Sequence, residues 1–184
     1  TYTSPSASSD ATSPVAHRAS GSDSRLARPP RATASVCGSK IAIALAAMIA
    51  HRPPERLYVN EYFGRRDDRP PAVTGLLRAA RRAGVETVRL HRGRTVEIGE
   101  AVIEVLWPPP QGAETDGLEP NDASLVLRVR TADGTALLPG DIGEDVERRL
   151  VTERVDLRSD ILVLPHHGSH SPTLAAFIEA VDPE

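Results

Sequence analysis

The sequence has few cysteines and few aromatic residues, and each shortage excludes a class of protein. Cys37 is the only cysteine, so an intrachain disulfide framework and a cysteine-rich zinc site are both excluded. Aromatic residues make up 3% of the chain, so any core must be built mainly from leucine, valine, isoleucine and alanine. The 16 prolines and 13 glycines predict many chain breaks and few long elements.

The sequence also lacks an excess of positive charge and a long apolar run. Its formal net charge is −3, so the chain as a whole has no basic signature for nucleic-acid binding. A nucleic-acid substrate is not excluded, because a bound metal cation supplies positive charge locally. The longest apolar run, residues 41–50, is about half as long as the roughly 20 residues that a membrane span needs, and it predicts a buried helix.

The composition changes along the chain. Residues 1–39 are rich in serine, threonine, alanine, proline and arginine and show no helical or strand period. Such a segment buries too little apolar surface to offset the entropy of ordering its backbone. We therefore predict a disordered low-complexity segment over residues 1–39 and a partial α/β domain over residues 40–184. The first residue, Thr1, is not methionine, which indicates a fragment or a processed chain.

From residue 57 onward, short apolar runs alternate with helical patterns and hairpin turns, which predicts an α/β layered fold. Helices, each with one apolar face, are predicted over residues 72–83, 144–153 and 173–181. Strands are predicted over residues 57–62, 85–90, 95–98, 101–106, 124–129, 135–138 and 160–164. The last of these is a continuous apolar run, typical of a strand that is covered on both faces.

Two motifs place polar groups directly after an apolar strand. Gly140 and Asp141 follow one strand, and His166, His167 and His170 follow another. Open α/β sheets keep their functional sites at the carboxyl ends of strands. Carboxylate oxygen and imidazole nitrogen suit Zn²⁺, Mn²⁺ or Fe, and such a metal generates a hydroxide nucleophile near neutral pH. The two motifs together favour a metal site.

Each polar motif also fits a role without metal. Asp141 precedes a predicted helix, where aspartate often caps the first turn. Asn121 and Ser124 precede a strand, where these residue types often form turns. A row of arginines on the first amphipathic helix fits either a solvated face or a contact to phosphate: Arg78, Arg81 and Arg82.

The order of these motifs resembles the metallo-β-lactamase domain of ComEC-type DNA-uptake proteins. The matching pieces are NDASLVL at residues 121–127, LPGDI at residues 138–142 and VLPHHGS at residues 163–169. The resemblance extends from about residue 57 to the end of the sequence. It implies an incomplete αββα sandwich, in which two packed β-sheets carry helices on their outer faces.

The resemblance also implies a site and a role. Asp141 matches a metal-bridging aspartate and His166 a late histidine ligand, with His167 as its neighbour or alternative. Asn121 and Ser169, and Ser124 within the same pattern, would support the site, which would hold one or two Zn or Mn ions. The implied activity is hydrolysis of DNA phosphodiesters during uptake, beside a membrane channel domain of the same bacterial parent protein.

One departure keeps three hypotheses open. The first ligand motif of this fold, H-x-[HD]-x-D-H, is absent from the sequence, and fewer ligands mean weaker metal binding. The chain is then a ComEC-type hydrolase domain, a stand-alone cytoplasmic metallohydrolase with a small phosphate or ester substrate, or a truncated, non-catalytic remnant that has lost its metal.

Overall fold

The computed structural model describes residues 33–64, 70–112, 118–168 and 173–184, without the side chains of residues 33–41 and 167. Residues 1–32 of the predicted low-complexity segment lie outside the described residues. The first helix begins at Thr33, inside that predicted segment, so residues 33–39 are helical in backbone rather than irregular. The predicted domain boundary at residue 40 stays a prediction.

The fold is α/β. The described part of the chain contains four α-helices: α1 (Thr33–His51), α2 (Pro71–Arg82), α3 (Glu144–Thr152) and α4 (Ala175–Val181). It contains seven strands: β1 (Arg56–Asn60), β2 (Glu86–Leu90), β3 (Thr95–Ile98), β4 (Ala101–Trp107), β5 (Val126–Thr131), β6 (Gly134–Leu138) and β7 (Ile161–Leu162). Every strand and helix predicted from residue 57 onward is present, with ends shifted by a few residues.

The strands form two sheets. A small sheet pairs β1 with β2 in parallel, and a five-stranded sheet has the order β3-β4-β5-β6-β7. Strands β3 to β6 are an antiparallel meander, whereas β7 pairs with β6 in parallel. Because β6 and β7 run in the same direction, their carboxyl ends lie at the same end of the sheet.

Helix α1 is buried on one side only. Ala42 and Ile49 are buried in a cluster with residues of α2, whereas Ile43 and Met48 are 61% and 64% exposed. The prediction of a helix over residues 41–50 is confirmed, but the prediction that this helix is buried is wrong. The reason is that only one face of α1 packs against α2. The opposite face, which carries Ile43 and Met48, is not covered by any described residue.

The main core lies between the five-stranded sheet and helices α3 and α4. Trp107 at the end of β4 is fully buried there, together with Val126, Leu137, Leu150 and Phe177 from the sheet and both helices. The inward positions of α3 and α4 recur at the three- and four-residue spacing that their sequence predicted. The carboxyl ends of β4 and β6 both contribute residues to this core, which fixes their positions relative to each other.

Strand β7 differs from its prediction. The apolar run over residues 160–164 forms only a two-residue strand, and it lies at the edge of the sheet. Ile161, Val163 and Leu164 are 61%, 44% and 48% exposed, so the prediction of a strand covered on both faces is wrong. Among the described residues, only β6 pairs with β7, and this short edge strand leaves the side chains of Ile161, Val163 and Leu164 partly open to solvent.

Candidate functional site

The parallel pairing of β6 with β7 brings the two predicted motifs together. Leu137 is in register with Leu162, and the amide of Val163 donates to the carbonyl oxygen of Leu137 at 3.0 Å. Beyond the strands, the amide of His166 donates to the carbonyl oxygen of Gly140 at 3.3 Å. The segment that carries His166 is therefore hydrogen-bonded to the residue that immediately precedes Asp141.

Gly140 allows the chain to turn tightly at this point. Its φ of +67° lies in the left-handed region that favours glycine. A Cβ atom at this position would lie 3.1 Å from the Cβ of Ser124 and 3.4 Å from the carbonyl oxygen of Leu125. Ser124, predicted as a supporting residue, thus packs directly against the turn that presents Asp141.

Replacement of Gly140 with alanine is expected to lower the free energy of unfolding by about 2–4 kcal/mol, because left-handed strain and crowding against Ser124 add together. The matched control is Gly99→Ala, where φ is +59° and no atom lies within 4 Å of the added Cβ. In that control only the strain of the left-handed backbone applies, so the free energy of unfolding should fall by about 1 kcal/mol. Urea unfolding measures both variants, and equal losses would contradict the crowding at Gly140.

Asp122 makes two hydrogen bonds beside the candidate site that the sequence did not predict. Its carboxylate accepts a hydrogen bond from the amide of Gly143 at 3.0 Å, and its carbonyl oxygen accepts one from Nε1 of Trp107 at 2.6 Å. Asp122 thus joins the buried end of β4 to the loop after Asp141. Asn121, the predicted supporting residue, is exposed, and its carbonyl oxygen accepts the Ser124 amide at 2.9 Å. Its supporting role at the site stays a prediction.

Glu147 is the second residue that the sequence reading missed. It is 2% exposed, and its Oε2 atom accepts a hydrogen bond from the amide of Leu174, immediately before α4, at 2.7 Å. Burial raises the pKa of the Glu147 carboxyl, while the hydrogen bond from the Leu174 amide acts in the opposite direction. The sequence could have shown that Glu147 faces inward, because it lies three residues before Leu150 on the apolar stripe of α3.

The histidine motif is described in part. Its backbone forms a 3₁₀ turn over Pro165–Gly168, and His166 has a φ of 51° and a half-buried side chain. Asp141 is also half-buried. The side chain of His167 and the whole of Ser169 and His170 lie outside the described residues. The ligand roles of Asp141, His166 and His167 and the supporting role of Ser169 stay predictions.

The described residues do not complete a metal site. Within residues 33–64, 70–112, 118–168 and 173–184, no three His, Cys, Asp or Glu side chains form a group that could hold a metal ion. Two surface hollows lie elsewhere. One, of about 540 Å³, is lined by Arg92, Arg149 and Glu153 among others, and the second, of about 600 Å³, lies between α2 and β2. Neither is lined by Asp141 or His166.

Comparison with characterised proteins gives two significant similarities. The chain is 28% identical over 137 residues to ComE operon protein 3 of Bacillus subtilis (strain 168), a match that covers 74% of this chain. It is 37% identical over 73 residues, 39% of its length, to competence protein ComA of Neisseria gonorrhoeae. This chain is similar in sequence to parts of two competence proteins. No family model matches it.

The chain corresponds to a small part of these relatives. The aligned region is 17% of the Bacillus protein and 11% of the Neisseria protein. Among its described helices, none combines the length and apolar character needed to cross a membrane. The activities and partners of those whole proteins therefore come to this chain only as proposals.

Proposed function

We propose that this chain is part of a metal-dependent hydrolase domain in a DNA-uptake protein, with DNA phosphodiesters as its substrate. The observation that carries the proposal is the hydrogen bond from the His166 amide to the Gly140 carbonyl oxygen. It places the aspartate motif and the histidine motif side by side at the carboxyl ends of adjacent parallel strands. The similarity to two competence proteins supports the uptake role.

The proposed fold is an incomplete metallo-β-lactamase-like αββα sandwich. Its support is the five-stranded sheet packed against α3 and α4, together with a second, two-stranded sheet in which a helix precedes each strand. The order of the matched motifs along β5, β6 and β7 adds to this support.

Asp141 and His166 are suitable types of ligand for a divalent cation, but two ligands are fewer than a catalytic zinc site uses. Asp141 offers carboxylate oxygen and His166 imidazole nitrogen, which are ligands of Zn²⁺ and Mn²⁺. A catalytic zinc site uses three protein ligands, and no group of three His, Cys, Asp or Glu side chains that could hold a metal ion lies among the described residues. We therefore assign to Asp141 and His166 the binding of one cation, and we assign no hydrolytic step to them.

The rest of the described site would serve to hold these two side chains in place. Gly140 makes the turn before Asp141, Ser124 packs against that turn, and Asp122 binds the Gly143 amide after it. A divalent cation, when bound, lowers the pKa of a coordinated water molecule to near neutrality. Ligands are most effective when neighbouring groups fix them in this way.

DNA and a membrane channel domain of the same parent protein are the proposed partners. A row of exposed arginines on α2 offers positive charge to a phosphate backbone: Arg78, Arg81 and Arg82. Two of them, Arg78 and Arg81, also line the hollow between α2 and β2. The proposed location is therefore membrane-associated, through the rest of the parent protein.

A non-catalytic remnant is the second candidate. The observation that favours it is the shortage of metal ligands among the described residues, together with the absence of H-x-[HD]-x-D-H from the sequence. Such a chain would keep the scaffold of the domain without its chemistry.

A nuclease assay separates the two candidates. The purified chain is equilibrated with Mn²⁺ or Zn²⁺, dialysed, and incubated with linear double-stranded DNA. The hydrolase proposal predicts retained metal and DNA cleavage that EDTA stops and that Asp141→Ala removes. No retained metal and no cleavage would favour the remnant, and cleavage that survives Asp141→Ala would point to a contaminating nuclease.

A further inference from the structure

We infer that the face of the five-stranded sheet that points away from α3 and α4 is a docking surface for a second copy of this chain. Three observations support this: the register of the five strands, the location of the charged side chains on those strands, and the exposure of the apolar ones. Docking on this face requires neither a metal ion nor DNA, so it goes beyond the proposed function.

The register of the strands produces one apolar row across the whole sheet. Paired residues on neighbouring strands point to the same face, and successive residues along a strand alternate between the two faces. Leu137 of β6 lies in the main core, so its neighbour Ala136 points to the opposite face. One row of paired residues passes through Ala136 and crosses all five strands: Val96, Ile103, Val129, Ala136 and Ile161.

Three further residues extend this row into a wider surface. Leu127 pairs with Leu138 beside the row, and Ile98 lies two residues after Val96 on β3. All three point to the same side as the row because each is two positions from one of its members. The row and these three residues together are called the apolar face.

The charged residues of strands β3 to β7 all lie on the other side of the sheet. Glu104 pairs with Arg128, and Arg128 pairs with Leu137 of the main core. Arg130 follows Arg128 by two residues, and Glu97 pairs with Val102, the partner of Arg130. An antiparallel sheet with one face in solvent normally carries polar residues on that face. The apolar face shows the reverse pattern, which is typical of a sheet that is covered on both sides.

In the single chain the apolar face is open. Ile98, Leu138 and Ile161 are 55%, 36% and 61% exposed. The two core clusters formed by the described residues contain no member of the apolar face. Contiguous apolar patches larger than a few hundred Å² are rare on monomers and mark sites of interaction. This surface is therefore expected to associate with another apolar surface.

A second copy of the apolar face fits this requirement in charge and in shape. Because none of its members is charged, two copies can meet without burying an unpaired charge. Two twisted sheets pack face to face about 10 Å apart, with their strands about 30° from alignment. Identical faces can be related in this way by a twofold axis, the commonest symmetry of protein dimers. The dimer is then a β-sandwich that carries α3 and α4 of each copy on its outer sides.

The size of the apolar face sets the strength of this dimer. Five strands about 4.8 Å apart, each with about five residues of roughly 3.4 Å, give a face of about 400 Å². Two such faces amount to about 800 Å², which is below the roughly 1,600 Å² of a standard protein interface. We therefore expect a reversible dimer with a Kd in the micromolar range rather than a permanent one.

Sedimentation velocity of the whole chain, from about 1 to about 500 µM, tests the inference. The wild type should change from monomer to dimer over this range. Ile161→Lys on β7 and Ile98→Lys on β3 place a charge at opposite edges of the apolar face, and each should weaken dimerisation at least about tenfold. The matched control is Ile43→Lys on α1, because Ile43 and Ile161 are both 61% exposed. Its Kd should stay within about twofold of the wild type.

Each outcome decides for or against the inference once far-UV circular dichroism has shown that the variants fold. A wild type that stays monomeric at about 500 µM overturns it and favours a different protein as the occupant of the apolar face. A dimer that is weakened by Ile161→Lys but not by Ile98→Lys also overturns it, because that dimer would pair edge to edge through β7. Equal weakening by Ile43→Lys would show non-specific association instead.

Discussion

Replacement of Trp107 with alanine is expected to lower the free energy of unfolding by about 3–5 kcal/mol. Trp107 is fully buried in the main core, so its removal leaves a large cavity between β4 and the helices. The change also removes the hydrogen bond from Nε1 to the carbonyl oxygen of Asp122 and the stacking of the Arg149 guanidinium over the ring, 5.1 Å from its centroid. Since Asp122 binds the loop after Asp141, the candidate site should loosen along with the core.

Chemical denaturation followed by far-UV circular dichroism measures this effect. Trp107 is the only tryptophan, so fluorescence cannot follow the variant. The matched control is Ile98→Ala on β3, where the side chain is 55% exposed and its loss should cost less than about 1 kcal/mol. A Trp107→Ala variant as stable as the control would show that this core is not packed as described.

Alanine substitution of Asp141 or His166 is expected to weaken Mn²⁺ or Zn²⁺ binding by more than about 100-fold. Loss of a residue that merely supports a ligand already costs about 10–100-fold, and loss of a ligand removes a donor outright. No group of three ligand-type side chains lies among the described residues, so few other donors are available to replace either of these two. Isothermal titration calorimetry and elemental analysis after dialysis give the affinity and the stoichiometry.

Two substitutions of the same kind serve as controls. Asp133→Ala removes an exposed carboxylate from the turn between β5 and β6, at the opposite end of the sheet, and His51→Ala removes an exposed imidazole at the end of α1. Both should bind metal like the wild type. If metal binding survives in Asp141→Ala and in His166→Ala with the fold intact, the proposed site is wrong.

The local elements could be predicted from the sequence because their causes are local. The spacing of Leu76 and Ala80 defines the inward face of α2, and Gly84 follows that helix with the positive φ expected there. The turn at Ala132 and Asp133 likewise joins β5 to β6 as a hairpin. These features depend on neighbours a few residues away, and such neighbours are present in the sequence itself.

The two motifs of the candidate site could also be recognised, but their proximity could not be derived. Asp141 and His166 are 25 positions apart in the numbering, and only the parallel pairing of β6 with β7 makes their segments neighbours. The sequence showed that each follows an apolar strand, while the order of strands in the sheet remained open.

What the sequence by itself determined is the α/β character of the chain and its amphipathic helices, and it also predicted the residue types of a metal site. The tertiary structure alone decided that β7 lies at a sheet edge with Ile161 and Val163 exposed, and that Asp122 and Glu147 bind the loops around the site. The physical reason is the range of the interactions. Periodicity and turn chemistry act within a few residues, whereas the covering of a strand and the partner of a buried carboxylate depend on segments that only folding brings together.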